Sequence, residues 1–296
     1  MKILIVKLGA LGDVVRTTVL LSELTGEIHW LSKTNSKDLL NSLKISKKYF
    51  IENNKDLLKL QDEYFDLVIS LDEEKEVLEI VKKIKTKRLI GIYLDSNGDI
   101  NYTKESSYWF DMSLSSKFGK KRADELKYEN TKSVSQILIE MIGKKWIGQE
   151  YDFGIIPERF EKVRNKIGLI KVCTGIWPNK AWKGYEILKE KLEEKYEVNF
   201  LEIKNSLKEH IDEINNCELV VCGDTLGMHI ALALKKKLVI LFNCTPPQEI
   251  YGYNMVIKII SPLLEKYMYK KSRDFEAISA INVGNVYNAV IKNLKK

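Results

Sequence analysis

The feature that most constrains this chain is a rhythm: short, continuous apolar runs alternate with longer amphipathic stretches, once along each half of the sequence. The runs Lys2–Val6, Glu27–Trp30, Leu67–Ser70 and Arg88–Tyr93 read as one series of strands. A second series is Leu169–Cys173, Val198–Leu201, Leu219–Cys222, Leu238–Phe242 and Met255–Ile260. Helical periodicity falls between them, at Val14–Leu24, Lys75–Lys83, Tyr185–Lys195, Leu207–Asn215 and Gly227–Leu234, and again at Val283–Leu294. A strand that is apolar along its whole length must be covered on both faces, and crossover helices do that for parallel sheets. The expected fold class is therefore α/β, with two Rossmann-like, doubly wound domains facing a cleft.

The rhythm breaks between about residues 95 and 152, where helices at Tyr108–Ser116 and Ser133–Met141 are expected among polar loops, with Tyr102, Tyr108, Trp109 and Phe110 clustered nearby. A charged stretch, Pro157–Lys166, then precedes a fresh strand. These features place the domains at 1–160 and 161–296, with the last helix free to pack back on the first domain. In such folds ligands sit beyond the carboxyl ends of the strands, and here also between the two domains.

Composition removes several function classes. The four Cys include no C-x-x-C pair, and His210 and His229 flank Cys217 and Cys222 without zinc spacing, so no metal site is expected. The apolar run Ile3–Val6 is interrupted by Lys7 and is far shorter than the ~20 residues that span a bilayer. Free cysteines and the lack of an export signal lead us to expect a cytoplasmic protein. Basic residues number 48 against 41 acidic, a net charge of +7, yet only six are Arg. Lys interleaved with Glu on helical segments marks solvated faces rather than a nucleic-acid stripe, so no nucleic-acid partner is expected. The positive surplus still suits transient contact with an anionic membrane surface or an anionic substrate.

Three segments follow strand ends. The first is Lys7-Leu8-Gly9-Ala10-Leu11-Gly12-Asp13-Val14-Val15-Arg16, a glycine turn that opens a helix but matches neither G-x-G-x-x-G nor a Walker loop. Asp13 admits two readings: a cap on a helix beginning at Val14, or a carboxylate that takes a proton from a substrate hydroxyl. Arg16 either screens Asp13, binds an acidic acceptor with Gly12, or simply faces solvent. The second is Thr174-Gly175-Ile176-Trp177-Pro178-Asn179-Lys180-Ala181-Trp182. Backbone N–H groups and a hydroxyl at Thr174 and Gly175, with charge from Lys180, suit a phosphate. The alternative makes Trp177 and Trp182 packing anchors and Lys180 a solvated surface residue. The third is Gly223-Asp224-Thr225-Leu226-Gly227-Met228-His229, where Asp224, Thr225, Gly227 and His229 suit a pyrophosphate or sugar hydroxyls. Against this, Asp224 reads equally as a helix cap and His229 as a buried histidine bonded to backbone. Thr245-Pro246-Pro247-Gln248-Glu249-Ile250 would roof this site. Asp95-Ser96-Asn97-Gly98-Asp99 reads as a turn rather than a metal motif.

Taken in order, ILIVKLGALGDVVRTTVLL at 3–21, WPNKAW at 177–182, GDTLGMHIALAL at 223–234 and LFNCTPPQEIYG at 241–252 resemble glycosyltransferase family 9, the heptosyltransferase-like family of lipopolysaccharide core biosynthesis. The resemblance implies a GT-B fold, in which the first domain receives the acceptor and the second a nucleotide-diphosphate sugar, ADP-linked by family default. It also implies that Asp13 is the base of an inverting, metal-independent transfer, that Lys180 meets donor phosphate, and that Asp224, Thr225, Gly227 and His229 meet donor sugar and phosphates. The protein would then be cytoplasmic, peripheral to the inner membrane, with no cofactor beyond its donor substrate. Three places depart from the family pattern. Arg16 stands where many relatives have His; Asn243-Cys244 replaces Gly-Pro; and near Lys204-Asn205 there is no clear Glu for the ribose, Glu202 being a weak substitute. A nucleotide-sugar 2-epimerase-like isomerase and a non-catalytic, degenerate transferase are the other readings these residues admit.

Overall fold

A computed structural model describes residues 1–171, 176–202 and 206–295. The chain divides into two compact units, Met1–Gly154 and Ile155–Lys296.

In the first unit the strands are β1 (Lys2–Val6), β2 (Glu27–Ser32), β3 (Ile45–Phe50), β4 (Tyr64–Phe65), β5 (Leu67–Ser70), β6 (Lys85–Thr86), β7 (Leu89–Leu94) and β8 (Ile100–Tyr102). Six of them form a sheet in the order β3-β2-β1-β5-β7-β8, while β4 and β6 make a separate parallel pair. The large sheet is parallel except for the antiparallel edge strand β8. The chain runs outward from β1 to β3, then returns to β5 on the other side of β1. The order reverses between β1 and β5, so a crevice belongs at their carboxyl ends. Helices α1 (Leu11–Thr17), α2 (Asn54–Asp62), α3 (Lys75–Val81), α4 (Ser107–Phe110), α5 (Gly119–Glu129) and α6 (Val134–Met141) complete the unit. Leu4, Val6, Leu31 and Val68 from the sheet meet Leu60, Val77 and Val81 from helices in one dry core. Gly91 in β7 adopts φ +116°, and a Cβ there would stand 1.9 Å from the Ser70 carbonyl oxygen, so this strand needs glycine.

The second unit holds β9 (Lys166–Ile170), β10 (Glu197–Phe200), β11 (Leu219–Gly223), β12 (Lys237–Phe242) and β13 (Val256–Ile260), all parallel, in the order β10-β9-β11-β12-β13. Its order reverses between β9 and β11. The helices are α7 (Phe160–Val163), α8 (Tyr185–Glu193), α9 (Leu207–Asn215), α10 (Leu226–Ala233), α11 (Leu264–Tyr267), α12 (Phe275–Ser279) and α13 (Val283–Leu294). α13 lies against α8, β12 and β13 of its own unit, and Asn293 Nδ2 donates to the Leu238 and Met255 carbonyls at 2.9 Å.

Three expectations about elements change. The helix expected over Val14–Leu24 is α1 followed by a 3₁₀ stretch, Thr18–Ser22. Thr17, Thr18 and Ser22 hydroxyls bond back to carbonyls three or four residues earlier, and the run is rich in β-branched residues, which together tighten the coil. The helix expected over Tyr108–Ser116 stops at Phe110, because Glu73 takes the Ser115 N–H at 2.9 Å and the Ser113 hydroxyl at 3.2 Å. Strand β3 was not anticipated: Lys47 and Lys48 interrupt its apolar pattern, as befits an edge strand paired on one side only. Among the described residues no helix is long and apolar enough to cross a membrane.

Candidate functional site

In the first unit the site grows from the reversal point between β1 and β5. Lys7 follows β1, and its Nζ lies 2.6 Å from Asp72 Oδ1, two residues past the end of β5. The other Asp72 oxygen accepts from the Leu8 N–H at 2.5 Å. Asp72 is only 2% exposed; burial pushes its carboxyl pKa up, and Lys7 and the Leu8 amide oppose that rise. The Lys7 carbonyl in turn accepts from Trp30 Nε1 at 3.2 Å and Ser32 Oγ at 2.8 Å. The turn leaving β1 is thus fastened to both neighbouring strands.

That turn delivers α1, with Gly12 and Asp13 as its second and third residues and Ala10 at the cap position. Asp13 therefore does not cap a helix at Val14; it sits inside the first turn. Its Oδ1 meets Arg16 Nη2 at 3.0 Å, and a third of the side chain is open to solvent. Arg16 is mostly buried, so the purely solvent-facing reading falls; its guanidinium carbon lies 5.6 Å from the centre of the Trp109 ring.

In the second unit Thr174 and Gly175 lie outside the described residues, as do Lys204 and Asn205. Lys180 ends a short 3₁₀ turn, Pro178–Lys180, which buried Asn179 locks by donating to the Ser272 carbonyl and accepting from the Asp274 N–H, both at 2.8 Å. Trp182 is a packing anchor whose Nε1 donates to the Ile281 carbonyl at 2.9 Å, whereas Trp177 is partly buried beside Tyr269. Lys180 is not a solvated surface residue. Its Nζ reaches across to Asp224, 2.5 Å from the carbonyl oxygen and 3.1 Å from Oδ2. The backbones approach closely as well: a Cβ on Gly223 would stand 3.1 Å from the Lys180 carbonyl.

Asp224 does not cap α10; Thr225 occupies the cap position without a side-chain cap bond. The Thr225 hydroxyl is buried and has no hydrogen-bond partner. His229 is buried one turn into the helix, with Nε2 3.9 Å from Asp224 Oδ1. Gly227 serves packing, since a Cβ there would press to 2.4 Å from Ile170 Cδ1 at the end of β9. Lys180, Asp224, Thr225 and His229 thus gather at the carboxyl end of β11. Glu202 lies 4.0 Å from Lys171.

Sequence reasoning missed several residues here. Asp72 opens the acidic run Asp72-Glu73-Glu74 that closes the apolar stretch of β5, and only the interruption of the first apolar run by Lys7 hints at its partner. Asn243 is buried past the end of β12, with Nδ2 donating to the Ala181 carbonyl at 2.8 Å and Oδ1 lacking a partner. His210 is buried near Gly227, and burial lowers its pKa. Lys258 holds the roofing turn by donating to the Pro247 and Ile250 carbonyls at 2.7 and 2.6 Å. Among the described residues no three His, Cys, Asp or Glu side chains are grouped so as to hold a metal ion.

No protein of curated function matches the chain by sequence. Residues 156–277 match glycosyltransferase family 9 (heptosyltransferase). Among solved structures, a family 9 glycosyl transferase from Veillonella parvula is similar at a TM-score of 0.71 and 14% identity, covering 99% of this chain and 97% of that one. The ADP-heptose lipopolysaccharide heptosyltransferase II of E. coli gives a TM-score of 0.67 at 14% identity over 100% and 99% of the two chains. E. coli heptosyltransferase WaaC, solved with ADP, gives 0.62 at 16% identity over 99% and 100%. These likenesses establish the GT-B fold. The match to glycosyltransferase family 9 (heptosyltransferase) thus lies in the second unit, over residues 156–277, and the likeness to solved structures extends the fold, not the activity, over the whole chain.

Proposed function

We propose that this chain transfers a heptose-like sugar, with inversion, from an ADP-linked donor to a hydroxyl of a cell-surface glycan or lipopolysaccharide-core acceptor. Asp13 is the base. It removes the acceptor's hydroxyl proton as that oxygen bonds to the anomeric carbon and the bond to the donor's diphosphate breaks. The observation that carries this reading is a carboxylate held by Arg16 at 3.0 Å, open to solvent, on a turn fastened at the reversal point of the first sheet. A general base at that edge is within the usual reach of such chemistry, and Arg16 and Gly12 lie beside it to orient the acceptor.

The electron pair leaving with the diphosphate needs compensating charge. Lys180 supplies it, with N–H groups at the start of α10, the Thr225 hydroxyl, and Thr174 and Gly175 completing the donor contacts. Asp224 and His229 then face sugar hydroxyls. ADP is favoured as the carrier because the similar WaaC is known with ADP and with ADP-2-deoxy-2-fluoro heptose. A glycolipid acceptor would place the work at the cytoplasmic face of the inner membrane.

Replacing Asp13 with Asn tests the assignment. Transfer is expected to fall on the order of 10²–10⁴-fold while donor binding is unchanged, the signature of a lost base. Transfer near the wild-type rate would overturn it, and donor consumption without any acceptor would favour the isomerase instead.

A further inference from the structure

We propose that the segment 114–122 of the first unit is a docking surface for an anionic lipid bilayer. The inference extends the transferase reading, for which it would bring a membrane-borne acceptor to Asp13, and rests on it for that purpose.

Leu114 is 96% exposed and Phe118 is 60% exposed. Large apolar side chains so open to water, four residues apart, are a liability unless something covers them. Lys117, Lys120, Lys121 and Arg122 lie in the same stretch, every residue from 117 to 122 is exposed, and no acidic residue occurs between 112 and 123; the Lys117 Nζ rests over the Tyr102 ring, 4.2 Å from its centre. Lys120 and Arg122 also pair with Asp124, Glu125 and Glu129 on later turns of α5, but these are exposed contacts of little strength. Apolar side chains interspersed with cations match an acidic headgroup layer, where each Lys or Arg adds attraction and each inserted side chain adds burial.

The segment is held, not loose. Glu73 receives the Ser115 N–H and both the Ser113 and Ser115 hydroxyls, so Leu114 is tethered on each side. The Lys117 N–H donates to Tyr102 OH at 3.0 Å, fixing the approach to Phe118. Glu73 directly follows Asp72, the residue that fastens the turn leading to Asp13. Upstream on the same stretch, Trp109 meets Arg16, the partner of Asp13. A bilayer seated on Leu114 and Phe118 would therefore lie beside the edge of the sheet that carries the base.

Sedimentation of the full chain with vesicles tests this, using phosphatidylcholine alone and phosphatidylcholine with added phosphatidylglycerol. Binding is expected to the phosphatidylglycerol vesicles and to weaken with salt. The double variant Leu114→Asp/Phe118→Asp should lose about ten-fold or more in partitioning, while Leu43→Asp, at a 100% exposed site elsewhere in the unit, should behave as wild type. No binding to either vesicle, binding indifferent to phosphatidylglycerol, or equal binding by the double variant would overturn the proposal. A surface that serves an acidic protein instead would give the first of these outcomes. Nucleotide-induced thermal shifts of the same preparations keep the two readings apart. Wild type and the double variant should shift alike; if no nucleotide shifts either, the transferase reading fails and the vesicle result stands by itself.

Discussion

Each unit carries a Lys–Asp pair at the point where its strand order reverses, and the two pairs are built differently. Lys7 and Asp72 are the more sealed pair, 12% and 2% open, with Asp72 also bound to a backbone amide. Lys180 and Asp224 are left 17% and 19% open, and beside them stands a threonine hydroxyl without a partner. A sealed pair cannot exchange its partner for a ligand; it can only hold backbone in place. A more open pair can, because a diphosphate offers Lys180 more charge than one carboxylate does. On the proposed transferase reading, Lys7–Asp72 would position Asp13 and Lys180–Asp224 would hold the donor.

Substitutions can break that contrast, and the largest effect is expected at the sealed pair. Asp72→Ala leaves the Lys7 ammonium, only 12% open, without its carboxylate, and about 3 kcal/mol of stability should be lost from the first unit in a denaturant melt. A loss below ~1 kcal/mol would mean that the turn is held by its other bonds.

Acid should reach the first unit by another route, next in size. At the opposite edge of its sheet Glu63 is held to about 2, against an ordinary 4.5: burial would raise it, but Lys2, Lys47 and Tyr49 donate to it and win. A carboxyl whose pKa is lowered on folding stabilises above its unfolded value and loses that contribution as pH falls. On the order of 2 kcal/mol should therefore disappear between pH 4.5 and about 2. Glu63→Gln should flatten that part of a pH-dependent melt; an unchanged slope would remove Glu63 from the account.

The smallest effect on stability, and the most specific on ligand, belongs to the open pair. Lys180→Gln should cost about ten-fold in donor affinity, roughly 1.4 kcal/mol, with the melt of the free protein nearly unchanged. An equal loss of fold and affinity would mean that Lys180 is structural, like Lys7.

The buried strands were legible because Ile3–Val6 and Leu219–Cys222 are apolar on both faces, a pattern only covered parallel strands need. What was not legible depends on partners distant in the chain. Glu73 ends the helix expected past Phe110 by taking an amide 42 residues away, and no local propensity reports that. Asp13 admits a cap reading beside that of a base only because the sequence pattern starts the helix at Val14, while the backbone starts it at Leu11. Lys180 was marked by its motif, but its pairing with Asp224, 44 residues on, appears only in three dimensions. Asp72 belongs to no motif at all; its role comes from the register that sets β5 beside β1.

The most direct test of the central claim, that the open pair of the second unit receives a nucleoside diphosphate, is a thermal-shift panel. ADP, UDP, GDP and CMP, free and sugar-linked, would be offered to wild type and to Lys180→Gln. At about a hundred times its dissociation constant a ligand stabilises by ~2.7 kcal/mol, a rise of a few degrees. A selective rise with ADP and its sugar conjugate is expected in wild type, much reduced in Lys180→Gln. No rise with any nucleotide, or the same rise in both proteins, would contradict it.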